Sequence, residues 1–355
     1  MVALKVRTGG SEWSGIIRME GISMARENNG YAQRIVMAAS IDKTRTGKQI
    51  RQRMSLRGVT VLFLIMMISF SLCPGSEAAE ALQELEATNV LLVSLTEELN
   101  TKEILYDRGS EELIYPASTM KMLTALTALE IADPEEKVMV GLELFLVPYD
   151  ASRAGIHIPM RLTVRELLEG MLLPSGADAA YALAAYCGRK LKDDWEYDPP
   201  KAIARFVEAM NHKAASLGAE HTTAVNVDGY DAQGQMSTAQ DILVIAQAFL
   251  KQPVLAEICA MPEAVLESEM GTTVKVRNSN ELLHKDSGYY IKDAVGIKTG
   301  TTTKAGNCLV SSFEIQGNQY VCIVMNSSYY GRYADTRKLY EICCAKSSLA
   351  PDQAA

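Results

Sequence analysis

The sequence is short of basic residues: 35 Lys and Arg stand against 43 Asp and Glu, a formal net charge of −8 over 355 residues. Without a basic excess there is no electrostatic footprint for a nucleic-acid partner. Metal-binding spacing is missing too. The cysteines, at 73, 187, 259, 308, 322, 343 and 344, include no C-x-x-C pair, and no Cys/His cluster has ligand spacing. No metal is therefore expected. The adjacent Cys343 and Cys344 do not suit each other as a bridge, because disulfide geometry strains so short a loop. There is no internal repeat, no low-complexity stretch and no long Pro/Gly linker. Repeat architectures and strings of small domains are thereby excluded.

What is present is an ordinary globular body behind an unusual leader. Apolar residues make up 48% and the mean hydropathy is +0.00, enough for a sizeable core. The charge is unevenly spread. Residues 1–78 hold 11 basic and 5 acidic residues, which leaves the remainder with a net charge of −14. Arg51, Arg53 and Arg57 precede an apolar run at 59–72, and small residues follow at Ser76, Ala78 and Ala79. A run of this length is short of the ~20 residues of a membrane helix and suits the apolar region of a signal peptide. The expected divisions are a leader over 1–53, a signal peptide over 54–78 cleaved near residue 78, and one domain over 80–348. An uncleaved segment would instead tether the protein to a membrane. Export places the body outside the cytoplasm, where disulfides are permitted but not specified.

Along the body, β-prone runs near 90–95 and 104–106 flank a turn and predict a hairpin. Helical patterns follow at 118–131, 162–173, 177–190, 203–217 and 238–250, with Gly218 as a stop after the fourth. Strand patterns return near 295–300, 308–315 and 320–325, and a last helix covers 332–344. The order of strands, helices, then strands predicts an α+β fold. Its antiparallel sheet joins N- and C-terminal strands, with a helical body inserted between them.

Three short motifs carry chemistry. Ser118-Thr-Met-Lys121 puts a hydroxyl and an amine one helical turn apart at a helix start. A serine is a poor nucleophile until a base takes its proton, and a desolvated lysine can be that base. The helix start also offers backbone N–H groups to a developing oxyanion. Ser175-Gly-Ala177 lies in a break between two helices. Lys298-Thr-Gly300, followed by Thr301, lies on a strand, where Gly admits a substrate backbone and Lys and Thr face a carboxylate. Singly, each is better explained as a capped helix, a turn or an exposed strand.

As an ordered set, S-x-x-K, S-x-N and K-T-G are the motifs of penicillin-binding proteins and serine β-lactamases. The surrounding sequence narrows this. Tyr115-Pro-Ala-Ser-Thr-Met-Lys-Met-Leu-Thr-Ala, Leu162-Thr-Val-Arg-Glu-Leu-Leu-Glu-Gly-Met-Leu-Leu-Pro-Ser-Gly-Ala-Asp-Ala-Ala and Gly296-Ile-Lys-Thr-Gly-Thr-Thr-Thr-Lys-Ala-Gly resemble the low-molecular-weight D-alanyl-D-alanine carboxypeptidases. So do 206–218 and 278–283, and the resemblance runs over about 88–342. It implies the fold shared by β-lactamases and penicillin-binding transpeptidases. It also implies hydrolysis of the terminal D-alanine of peptidoglycan stem peptides through an acyl-enzyme, and covalent inhibition by β-lactam antibiotics.

Under this resemblance Ser118 is the nucleophile and Lys121 its base. Ser175 relays protons to the leaving amine, Lys298 and Thr299 hold the substrate's C-terminal carboxylate, and Gly300 lets the substrate backbone approach. The N–H groups of Ser118 and Thr301 form the oxyanion hole. No cofactor, metal or catalytic histidine is implied, so His157, His212, His221 and His284 are expected to be structural or surface residues.

The chain departs from the family in three ways. Ala177 stands where Asn is usual, Gln235 stands where a His is usual, and the C-terminal β-domain of many relatives is not expected. Two rival readings remain. One is a serine β-lactamase, although no segment between Ser175 and Lys298 resembles the loop that supplies its deacylating glutamate. The other is a non-catalytic peptidoglycan-binding relative, which only Ala177 favours.

Overall fold

The computed structural model describes residues 2–8, 11–17, 85–95, 102–192 and 198–349. The chain divides into two units, Met1–Leu72 and Cys73–Ala355. In the first, Val2–Thr8 and Ser11–Ile17 pair as an antiparallel hairpin. The expected signal peptide at 54–78 lies outside the described residues.

The second unit is organised around one five-stranded antiparallel sheet. Its strands are β1 (Asn89–Leu95), β2 (Lys102–Arg108), β3 (Ala294–Thr302), β4 (Gly306–Ile315) and β5 (Asn318–Ser327), in the order β2-β1-β5-β4-β3. The first two come from the N-terminal side of the helices and the last three from the C-terminal side, as the sequence predicts. Residues of opposite parity supply different cores. Leu91, Val93, Leu95, Val321, Ile323 and Met325 face one cluster, whereas Val90, Leu92, Tyr320, Cys322 and Val324 face the other. Both faces are covered, which is why these strands read as continuous apolar runs instead of alternating ones.

The first cluster is filled by the inserted helices. These are α1 (Lys121–Ile131), α2 (Val164–Leu172), α3 (Ala177–Lys190), α4 (Pro199–Leu217), α5 (Ala239–Leu250) and α6 (Pro253–Ala260). The second cluster lies under α7 (Gly331–Leu349), through Tyr333, Leu339 and Cys343. Helix starts follow local chemistry. Thr163 and Glu166 form a reciprocal capping box at α2, Asp198 caps α4 just ahead of Pro199, and Thr238 caps α5. Gly218 ends α4 in the left-handed conformation, at φ 84°.

The sequence pattern did not predict α6 or the hairpins Lys137–Met139/Arg161–Thr163 and Glu263–Glu267/Thr273–Arg277. Nor did it predict that Ser118 sits in a 3-10 turn, Ala117–Met120, ahead of α1. Cys187, Cys259, Cys308, Cys322, Cys343 and Cys344 are all free thiols. No single helix among the described residues is long and apolar enough to cross a membrane.

Candidate active site

The nucleophile turn is gripped from two sides. At Gly300, a β-carbon would stand 2.9 Å from Ala117 Cβ and 3.1 Å from the Ser118 nitrogen. Only glycine lets β3 lie this close to Ser118. From the opposite side Gly229, at φ +82°, presses on the Ala117 carbonyl, and a β-carbon there would fall 1.8 Å from its oxygen. These contacts fix Ser118 relative to β3 before any substrate arrives.

Lys121 lies beneath the serine, 2% exposed. Its Nζ is 2.8 Å from Ser118 Oγ and donates to the Asp228 carbonyl at 2.9 Å. Burial pulls the amine down to about 8, against the opposing pull of Asp228 and Asp178. A useful fraction is therefore neutral near neutral pH, and the amine lies within proton-transfer reach of the hydroxyl. The loop that supplies Asp228 is held by Gln235. Wholly buried, Gln235 accepts from the Val225 N–H at 2.5 Å and the Asn226 N–H at 3.2 Å. The residue that replaces the usual His is thus a scaffold for the loop carrying the lysine's acceptor.

The second motif sits at the α2–α3 break. Ser175 adopts φ 66°, is 6% exposed, and its Oγ has no hydrogen-bond partner among the described residues. Ala177 opens α3, wholly buried in the helical core, and its N–H donates to the Ser152 carbonyl at 2.7 Å. The neighbouring Asp178 carboxylate accepts from the N–H groups of Ala154, Gly155, Ile156 and Ala179 at 2.8–3.0 Å. The α3 start therefore anchors the 150–156 segment, whose Asp150, Ala151 and Ser152 wall a cleft of about 240 Å³. Ser118, Lys121, Asp228, Tyr230, Asp231 and 301–303 complete that lining. Ser175 and Ala177 are not part of it.

Lys298 and Arg332 supply the positive end. Lys298 is 1% exposed, and among the described residues its Nζ donates to the Thr299 carbonyl, at 3.0 Å. Burial, then the charges of Lys121 and Arg332, holds it well below the usual lysine value. Arg332 is 5% exposed, and its Nη1 donates to the Gly300 carbonyl at 3.3 Å and to Thr301 Oγ1 at 3.2 Å. Neither cation has a carboxylate partner among the described residues. Ser279 Oγ lies 2.5 Å from Thr299 Oγ1 and completes this end.

Arg332 and Ser279 were not picked out from the sequence as site residues. A lone arginine near a helix start belongs to no motif, and its cue was weak: three tyrosines at 329, 330 and 333 crowd around it. No histidine is among the residues that line the cleft. His284, for example, is buried with Nε2 2.7 Å from the Asn278 carbonyl.

Comparison with known proteins agrees with this geometry. The chain is 34% identical over 230 residues to the D-alanyl-D-alanine carboxypeptidase DacB2 of Mycobacterium tuberculosis, covering 64% of this chain and 72% of that protein. Among solved structures, the Streptomyces K15 DD-transpeptidase superposes with a TM-score of 0.65 at 26% identity, over 74% of this chain and 98% of that one. Penicillin-binding protein D2 of Listeria monocytogenes, in its ampicillin-bound form, gives 0.58 at 28% identity, over 73% and 97%. The sequence model of the D-alanyl-D-alanine carboxypeptidase peptidases matches residues 76–329, well over half the chain. Fold, motif order and relatives converge: the chain belongs to the D-alanyl-D-alanine carboxypeptidase family and is a serine-type carboxypeptidase.

Proposed function

We propose that Ser118 is acylated by the penultimate D-alanine of a peptidoglycan stem peptide, with release of the terminal D-alanine. The observation that carries this reading is a buried pair of basic side chains, Lys298 and Arg332, with no carboxylate partner among the described residues, beside the Ser118–Lys121 pair. Burying charge without a counter-ion is costly. A substrate carboxylate supplies that counter-ion and so sets the adjacent peptide bond over Ser118.

Neutral Lys121 takes the Ser118 proton as Oγ attacks the carbonyl carbon. The N–H groups of Ser118 and Thr301 receive the oxyanion, and the proton passes to the departing amine through Ser175, whose Oγ is free for that use. Water then hydrolyses the ester, with Lys121 again as the base. β-Lactams, which carry a carboxylate beside a reactive amide, acylate Ser118 in the same way.

Fluorescent penicillin and D-alanine release from a pentapeptide test the assignment together. Wild type labels, holds the label and releases D-alanine, whereas Ser118→Ala does neither. Rapid loss of the label supports the β-lactamase reading, and no labelling at all supports a non-catalytic relative.

The basic flank and the apolar run at 59–72 support export, with action at the cell wall. N-terminal sequencing of the exported protein is expected to begin within a few residues of Ala79. A mature chain retaining residues 1–53 would overturn the proposed leader.

A further inference from the structure

Arg332 is buried with no carboxylate partner among the described residues, and its surroundings are aromatic. Its Cζ lies 4.9 Å from the ring centroid of Tyr329 and 4.8 Å from that of Tyr333. Tyr333 is wholly buried and stacks on Tyr289, with centroids 4.8 Å apart and planes at 24°. Its hydroxyl donates to the Ser279 carbonyl at 3.1 Å, and Ser279 Oγ in turn meets Thr299 Oγ1. Tyr329 is 51% exposed and meets Tyr333 edge-on, at 6.5 Å and 76°.

We propose that Tyr329 and Tyr333 are positioning residues for the carboxylate pocket: their rings hold the Arg332 guanidinium, and the Tyr333 hydroxyl ties it to the Ser279–Thr299 side. This rests on reading Arg332 and Lys298 as the carboxylate receptors. Aromatic faces attract a cation through their quadrupoles without cancelling its charge. A glutamate in their place would stabilise Arg332 equally well but would occupy it. The clamp therefore fixes the guanidinium and leaves its charge for the ligand. Because Tyr333 touches both sides of the pocket, one buried side chain sets the spacing between Arg332 and Thr299.

The test uses the whole enzyme and two substrates, a D-Ala-D-Ala peptide with a free C-terminal carboxylate and its C-terminal amide. In Tyr329→Ala, KM for the carboxylate substrate should rise about tenfold with kcat within about twofold, the size expected from losing one partly buried cation–π contact. KM for the amide should not move. Tyr329→Phe keeps the ring face and should behave as wild type. Tyr333→Phe keeps the ring but frees Ser279, and should raise KM for the carboxylate substrate alone.

Equal effects on both substrates, no effect in Tyr329→Ala, or a Tyr329→Phe as impaired as Tyr329→Ala would each overturn the clamp. Arg332→Ala separates this failure from a deeper one. If it loses carboxylate selectivity while Tyr329→Ala does not, the clamp alone is wrong. If Arg332→Ala also keeps selectivity, the reading of the pocket fails with it.

Discussion

At the scale of residues, two lysines are shifted in the same direction and this helps in one case and limits in the other. Lys121 must be neutral to act, and burial brings it down to about 8. Below that value its neutral fraction, and with it the acylation rate, should rise about tenfold per pH unit and then level off. Lys298 must be charged to bind a carboxylate, yet burial also lowers it. Wherever free Lys298 loses its proton, kcat/KM should fall while kcat holds better, because a bound carboxylate favours the charged form. A kcat/KM profile with no acid limb between pH 6 and 8 would point to a base other than Lys121. Gly300 gives a second prediction. Gly300→Ala sets a methyl against Ala117 Cβ and the Ser118 nitrogen, so β3 and the nucleophile turn must part. A displacement near 1 Å costs on the order of 100-fold in rate. Single-turnover acylation should show that loss with the fold retained, and a fully active variant would show that the turn can yield.

At the scale of elements, Asp178 joins helix α3 to the cleft wall. Its carboxylate satisfies four backbone N–H groups, three of them in 154–156. Asp178→Ala leaves these donors buried and unpaired, at a cost of roughly 3 kcal/mol. Denaturant titration should register it, and the 150–156 segment should gain hydrogen exchange; unchanged protection there would refute the anchoring role. Helix α5 was legible in the sequence because its Thr238 cap and apolar spacing agree locally, and α3 because an Ala-rich run follows the Pro174-Ser175-Gly176 break. The three motif positions were legible because few residue types can do their chemistry. The hairpin Glu263–Glu267/Thr273–Arg277 was not, because each strand buries a single residue, Leu266 or Val276, and its pairing depends on tertiary support. Arg332 escaped for a related reason: its role arises only where the start of α7 is brought against Gly300 and Thr301, 31 or more residues earlier in the chain.

At the scale of the whole molecule, β5 is the central strand and its alternate residues serve both cores. Damage there should not remain in one layer. Ile323 is wholly buried in the helical cluster, and Ile323→Ala should cost about 2–5 kcal/mol. Circular dichroism and tyrosine fluorescence should lose signal in one coincident transition, whereas separated transitions would show that the two cores unfold independently. The opposite edge of the sheet has another consequence. β3 carries Lys298-Thr299-Gly300 and, among the described strands, pairs only with β4, so its outer row of backbone groups is not taken up by the sheet. Most proteins blunt such a row, because it templates pairing with other chains. Under the proposed function a peptide lies along this row, so the feature that would admit substrate is also the one most able to seed self-association. Penicillin-acylated enzyme, with that row covered, should aggregate more slowly on heating than free enzyme at equal distance below Tm.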